Sequence, residues 1–258
     1  MKKSLKKLSG LPATLVKNKV EFGPNSCRPQ FEIKKYSDHR QFFQNNNLDK
    51  NQDLYYIYRT SCLKKDGPLF SKRGLRYDIT AITPGLIGNE PHHTIGHIHK
   101  KLSKGAPSEI YQVVYGRAIF LIQNNKTKKF YAIYRNAGQK IIIPPDCGHI
   151  TVNASIKNPL VVANIFINKT NASDYSFFRK NQGPAWYPVW KNNKIDFEKN
   201  KSQKNQFSFK KISTYKKIPF RMSKSTPLYR DFLNGPDKFY FLTDTKKLGS
   251  KLSDSSLF

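Results

Sequence analysis

The sequence predicts a mainly all-β chain whose strands close into a barrel or jelly roll, and three observations carry that expectation. From Thr94 to Ile167 there are about six to eight short runs rich in β-branched and aromatic residues, some alternating and some apolar throughout, preceded by two more from Leu54 and Arg76. Turn residues punctuate them at hairpin spacing: Thr83-Pro84-Gly85, Gly116, Asn124-Asn125 and Gly138. Strands do not alternate regularly with helical patterns, which argues against a parallel α/β sheet and leaves room for only a few flanking helices.

Taken in order, residues 1–19 carry six lysines and no acidic residue and read as a mobile basic arm. Between Val20 and Lys50 one helix is expected, opening at the cap signal Ser37-Asp38 and running through HRQFFQNNN. LYYIYRTSC from Leu54 and RYDITAI from Arg76 read as strands, the second ended by the turn at Thr83. TIGHIH, EIYQVV, AIFLIQ, KKFYAIYR, QKIII, ITVNA and LVVANIFI continue the series. GPAWYPVW is dense in aromatic residues and reads as a strap against the outside of the barrel. The last stretch, residues 191–258, holds sixteen basic and six acidic residues with apolar bursts such as FYFLT, and an appendage folded on the barrel and a basic tail both stay open. The organisation expected is an arm (1–19), a barrel domain (20–190) and a basic C-terminal extension (191–258).

A chain of 258 residues with 38% hydrophobic content can fill one core but hardly two full domains. The net charge of +29, from 46 basic and 17 acidic residues, exceeds what solubility needs and raises nucleic acid or a membrane surface as partners. That charge is spread along the chain, however, and Lys, Asn, Ile, Tyr and Phe are abundant together, so it reads as compositional bias and nucleic acid is not the favoured partner. Three cysteines, Cys27, Cys62 and Cys147, lack metal-finger spacing and are odd in number, which argues against a disulfide scaffold and fits a reducing compartment. The basic N-terminus has an apolar part broken by Gly10 and Pro12, unlike a secretory signal, and no window approaches the ~20 apolar residues of a membrane span. A soluble, cytoplasmic protein is expected.

The chemistry concentrates between Thr94 and Asn153. Side chains two apart on a strand share a face, so His97 and His99 can both look into a barrel. Glu109 opens EIYQVV, placing Glu109 and Tyr111 on one face, and the Pro-Pro turn in KIIIPPDCGHITVN can swing His149 back toward the first pair. Three imidazoles and a carboxylate suit one divalent ion, Fe, Mn, Ni or Zn, and an octahedral ion would keep two positions open for water or substrate. A lone HxH is a weak signal, and surface or core histidines are the ordinary alternative. Here the four residues stand together.

With Gly116, the residues His97, His99 and Glu109 resemble the first cupin motif, and Gly138, Pro144, His149 and Asn153 resemble the second. The gap from His99 to Glu109 is longer than usual, absorbed by the loop KKLSKGAPS, and Asp146 stands where many cupins have glycine. LRYDIT (Leu75 to Thr80), TPGLIGNE (Thr83 to Glu90), TIGHIH, SEIYQV (Ser108 to Val113), PPDCGH (Pro144 to His149) and SDY (Ser173 to Tyr175) narrow the resemblance to the cupin-type glucose-6-phosphate isomerases, across roughly Val20 to Trp190. The resemblance implies a double-stranded β-helix barrel, one divalent metal on His97, His99, Glu109 and His149, and interconversion of glucose 6-phosphate and fructose 6-phosphate, a step of glycolysis and gluconeogenesis. It implies Glu109 as a proposed base beside a rival hydride shift, with Tyr111 and His149 at the reacting centre. Thr83, Thr94, Gly96 and Tyr175 are implied for the phosphate and substrate pocket, Glu90 for a supporting or structural place, and a homodimer is common among cupins. Two other readings remain: another metal-dependent cupin, a sugar isomerase or dioxygenase, and a non-catalytic basic barrel that binds nucleic acid.

Overall fold

In the computed structural model, residues 2–49, 51–103, 105–169, 172–215, 220, 222, 223 and 225–244 are described. The chain opens with an antiparallel sheet of β1 (Lys2–Ser4), β2 (Ala13–Val16) and β3 (Lys19–Phe22), with one helical turn, α1 (Lys6–Ser9), after the first strand. This corrects the expectation of a mobile arm. Leu5, Leu11, Ala13 and Leu15 are buried in the main core while all six lysines of the stretch face solvent. The short period-two pattern of β2, weighed against charge alone, decides the outcome.

Next come β4 (Gln30–Lys35), a 3-10 turn at Arg40–Phe42, β5 (Asp53–Arg59), α2 (Gly67–Lys72), β6 (Leu75–Ile82) and the two-residue strands β7 (Leu86–Ile87) and β8 (Glu90–Pro91). Of the helix expected across HRQFFQNNN only the 3-10 turn forms. Phe42 and Phe43 are consecutive and both buried. Phe43 meets Tyr36 edge-on at 5.4 Å and stacks on His93 at 4.3 Å, so packing overrides the capping signal.

The central run is β9 (His97–His99), β10 (Glu109–Tyr115), β11 (Arg117–Asn124), β12 (Lys129–Asn136), β13 (Lys140–Ile143), β14 (Cys147–Asn153) and β15 (Leu160–Ile167). It is followed by β16 (Ser173–Asp174), α3 (Ser176–Lys180), the hairpin β17 (Trp186–Lys191) and β18 (Lys194–Lys199), then β19 (Ser208–Ile212) and α4 (Leu228–Asn234). Two six-stranded sheets result, ordered β13-β10-β15-β6-β5-β4 and β16-β9-β14-β11-β12-β19. From β9 to β15 the chain crosses repeatedly between them, the winding of a cupin double-stranded β-helix. Two corners demand glycine: Gly116 (φ +87°) between β10 and β11, and Gly138 (φ +89°) before β13. Asp146, where many cupins have glycine, takes the left-handed conformation itself (φ 58°), which Asp tolerates better than most residues.

The C-terminal stretch, as far as it is described, is an appendage folded on the barrel. β19 adds to β12 in parallel, and α4 covers the outer face of β6, with Tyr229 against Tyr77 at 5.1 Å. Leu228, Phe232, Phe239, Phe241 and Leu242 are buried there, and residues 245–258 lie outside the described residues. The aromatic strap is the β17–β18 hairpin, whose Trp186 packs on Phe209 at 4.9 Å. No described helix is long and apolar enough to cross a membrane.

Candidate metal centre and substrate pocket

β9 and β14 are antiparallel neighbours with His97 directly opposite His149. Strand alternation turns His97 and His99 to one side, and from the other sheet β10 presents Glu109 to the same point. Ligand atoms of His97, His99, Glu109 and His149 all lie within 4.8 Å of one another. Oε2 of Glu109 is 3.3 Å from Nε2 of His99 and 3.2 Å from Nε2 of His149, and these three buried atoms have no hydrogen-bond partner among the described residues.

The surroundings fix how these groups face. Nδ1 of His99 lies 2.9 Å from the carbonyl of Pro107, and Nδ1 of His97 lies 3.2 Å from that of Ile95. A carbonyl can only accept, so each Nδ1 carries the proton and each Nε2 offers a lone pair to the centre. The amide of Asn164 donates to Oε1 of Glu109 at 2.6 Å, leaving Oε2 to face the imidazoles. Burial opposes charge on Glu109, yet His149 and His99 overcome it and hold the carboxyl well below the usual range. Burial pushes His97 well down, with the other two imidazoles adding to it, and burial pushes His149 down as well. The set is a carboxylate facing three imidazoles, with buried, unpartnered ligand atoms converging on one point. Such orphaned acceptors are costly in a core unless something cationic satisfies them, and the donor set fits a divalent first-row metal.

Above this floor the inward positions of the first sheet make a polar wall. Tyr111 sits opposite Asn164 and Asn164 opposite Asp78, and Ile57 sits opposite Thr80. Tyr55, Arg59, Arg76 and Phe166 complete the wall by the same alternation. Arg76 donates to Asp78 at 2.7 Å and to the carbonyl of Ile167 at 2.7 Å, while Arg59 donates to Glu32 at 3.0 Å and stands 3.7 Å from Asp78. Arg59, Arg76, Ser173 and Tyr175 also border an adjoining outer cavity that includes Lys169, so the mouth carries cations. Burial, then the charge of Glu109, pushes the Tyr111 phenol well above its ordinary value and keeps it a proton donor.

The residues singled out from the sequence divide. Thr94, Tyr111 and Tyr175 line the pocket together with His97, His99 and Glu109. The hydroxyl oxygen of Thr94 accepts from the Thr151 N–H at 2.9 Å and retains its own proton to donate. Gly96 has a steric duty: a Cβ there would stand 2.6 Å from the ring of Phe178, and one on Gly148 would stand 2.7 Å from it. Phe178, on α3, thus packs against both histidine-bearing segments. Thr83 is not among the pocket residues; its hydroxyl lies 2.7 Å from the carbonyl of Asp53 and 2.7 Å from Nδ1 of His92. Glu90 is buried elsewhere, accepting from the Gln44 N–H at 3.1 Å beside His93.

Sequence reasoning passed over Asn164, Arg59, Arg76 and Asp78. An amide inside the apolar run LVVANIFI was the signal for the first, since a buried amide demands a partner. For the others it was the polar series Arg76, Asp78, Thr80 on one face of a buried strand.

Residues 34–206 match the profile of the family described as glucose-6-phosphate isomerase (GPI). The chain belongs to that family. Among curated family members, the glucose-6-phosphate isomerase of Thermococcus litoralis is 25% identical over 54% of this chain and 67% of its own length. That of Pyrococcus furiosus is 29% identical over 39% of this chain and 48% of its own. The chain thus spans about half to two thirds of the length of the curated family members it matches. Among solved structures, an oxalate oxidase in complex with glycolate aligns with a TM-score of 0.37 at 17% identity, covering 48% of this chain and 55% of the other.

Proposed function

We propose that this member of the family interconverts glucose 6-phosphate and fructose 6-phosphate with the help of one divalent metal held by His97, His99, Glu109 and His149. The observation that carries the reading is the convergence of unpaired lone pairs from Glu109, His99 and His149 at the floor of a polar pocket. When bound, the ion would supply positive charge against the oxyanion that develops as carbonyl and hydroxyl exchange places.

The chain's own residues have the remaining work. Glu109 is ionised and at the reacting centre, so its carboxylate can take the proton from one sugar carbon and return it to the neighbour. Tyr111, kept protonated, can donate a hydrogen bond to a sugar oxygen. His149 orients Glu109 from 3.2 Å. Asn164 holds the other carboxylate oxygen and prevents Glu109 from turning away. At the phosphate end, Thr94, the Gly96 backbone and Tyr175 are candidate donors, joined by the guanidinium groups of Arg59 and Arg76, whose charge and planar donors suit a phosphate dianion.

Conversion of fructose 6-phosphate followed by NMR in D2O tests both reaction and route. Proton transfer by Glu109 exchanges with solvent and places deuterium at C2 of the glucose 6-phosphate formed. Formation of product without deuterium would reassign the step to a hydride shift, and no conversion with metal bound would overturn the proposal.

A further inference from the structure

The sequence gives no sign that two of the three cysteines are neighbours, because 34 residues separate Cys27 from Cys62. The fold brings them together. The N–H of Cys27 donates to the carbonyl of Cys62 at 2.7 Å, and the preceding and following residues, Ser26 and Leu63, form an antiparallel bridge. The two backbones are therefore pinned side by side, and the two Sγ atoms stand 3.1 Å apart. A disulfide needs about 2.05 Å, so closure requires a movement of about 1 Å, within reach of the side-chain torsions.

We propose that Cys27 and Cys62 are a disulfide-forming site, oxidised by hydrogen peroxide or a related peroxide. The roles of the two thiols follow from their exposure. Cys27 is partly exposed and Cys62 is buried. Peroxide meets Cys27 first: its thiolate sulfur attacks one peroxide oxygen, the O–O bond breaks, hydroxide leaves and takes up a proton, and Cys27 becomes a sulfenic acid. The sulfur of Cys62 then attacks the Cys27 sulfur, the S–O bond breaks, and the departing hydroxide takes the thiol proton and leaves as water. Two thiols are oxidised by two electrons and one peroxide is reduced to two waters. Burial, together with Cys27, pushes the Cys62 thiol up to about 12, consistent with its acting second and on an adjacent sulfur. Cys147 lies in β14 and takes no part.

The bond would fall at a sensitive place. Cys62 is three residues beyond Arg59 on the pocket wall, and Cys27 is three residues before β4, whose Glu32 holds Arg59 at 3.0 Å. Among the described residues β4 is an edge strand, joined on one side only, to β5. Oxidation would staple the start of that edge to the end of its neighbour.

Full-length protein is treated with hydrogen peroxide, unfolded in the presence of N-ethylmaleimide and weighed by mass spectrometry, with peptide mapping of the product. Untreated protein should take three maleimides and oxidised protein one, on Cys147, with a Cys27–Cys62 cross-linked peptide and restoration by dithiothreitol. Closing a loop of this length should raise Tm by about 5–10 °C. Cys27→Ser, at the partly exposed position, should take two maleimides with or without peroxide and show no such rise. Three maleimides on the oxidised protein, a sulfinic acid on Cys27 beside a free Cys62, or a cross-link through Cys147 would each overturn the proposal. The readout does not depend on isomerase activity, so this inference and the proposed function stand or fall separately.

Discussion

Replacing Glu109 by glutamine separates the catalytic role proposed for this side chain from any role in holding the fold. The Nδ2 of Asn164, 2.6 Å from Oε1, donates, so with Asn164 in this orientation the new side chain offers its carbonyl there. Its NH2 group is then forced to the place of Oε2, 3.3 Å and 3.2 Å from Nε2 of His99 and His149. In the metal-free protein His149 and His99 hold the charged carboxylate, and the neutral amide gives that hold up. Exchanging a charged for a neutral hydrogen bond costs about 1 kcal/mol. The metal-free variant should therefore melt about 2–4 °C below the metal-free native protein, at 2–4 °C per kcal/mol for a chain of this size. The same NH2 points a donor at the metal position and removes the base, so metal occupancy should fall. At whatever loading remains, kcat should drop about 10²–10⁴-fold. Calorimetry on chelated protein, elemental analysis and a coupled assay on fructose 6-phosphate read the three quantities. A variant that melts higher without metal, or that turns over at the native rate per bound ion, would refute this role of Glu109.

Three further outcomes are expected. Gly96→Ala should cost about 1–3 kcal/mol by driving a methyl into the buried Phe178 ring, and adding Phe178→Ala should recover part of that cost; simple additivity in urea melts would show that the two do not touch. Arg59→Met should lower kcat/KM on fructose 6-phosphate about tenfold to 150-fold, as for one lost charged hydrogen bond, while slow turnover of unphosphorylated fructose stays level; equal losses on both sugars would make Arg59 structural. Burial opposes ionisation of Glu32, but Lys34 and Arg59 outweigh it and depress its carboxyl, so its stabilising contribution is full above the unfolded value of about 4.3 and is lost as pH falls through the lower folded value. Glu32→Gln should therefore lower Tm by no more than about 3 °C near pH 7, given the partial exposure of the pair, and the gap should close in acid; a gap that widens in acid would contradict the sign.

The cluster of His97, His99, Glu109 and His149 was legible because its rules are local: a period of two for His97 and His99, a strand start for Glu109, a turn for His149. The barrel was legible for the same reason, through hairpin glycines and β-branched runs. What escaped depended on partners distant in sequence. The arm became a sheet because Leu11, Ala13 and Leu15 find the main core, and the helix near Ser37 gave way because His93, from another segment, stacks on Phe43. Thr83 reads like a pocket residue in its motif, yet the carbonyl of Asp53, thirty positions upstream, lies against its hydroxyl. Arg59 and Arg76 acquire meaning only when β5 and β6 pair and turn both toward Asp78.

In the proposed function, the lone pairs of His97, His99, Glu109 and His149 hold the ion on which sugar-phosphate isomerisation depends. Its most direct test follows glucose 6-phosphate formation from fructose 6-phosphate, with metal content measured alongside, before chelation, after chelation and after adding back Fe, Mn, Ni or Zn singly. The expected result is about one ion per chain, loss of activity in step with loss of the ion, and recovery on add-back in native protein but not in His149→Ala. Full activity in folded protein freed of metal would contradict this role of the ion.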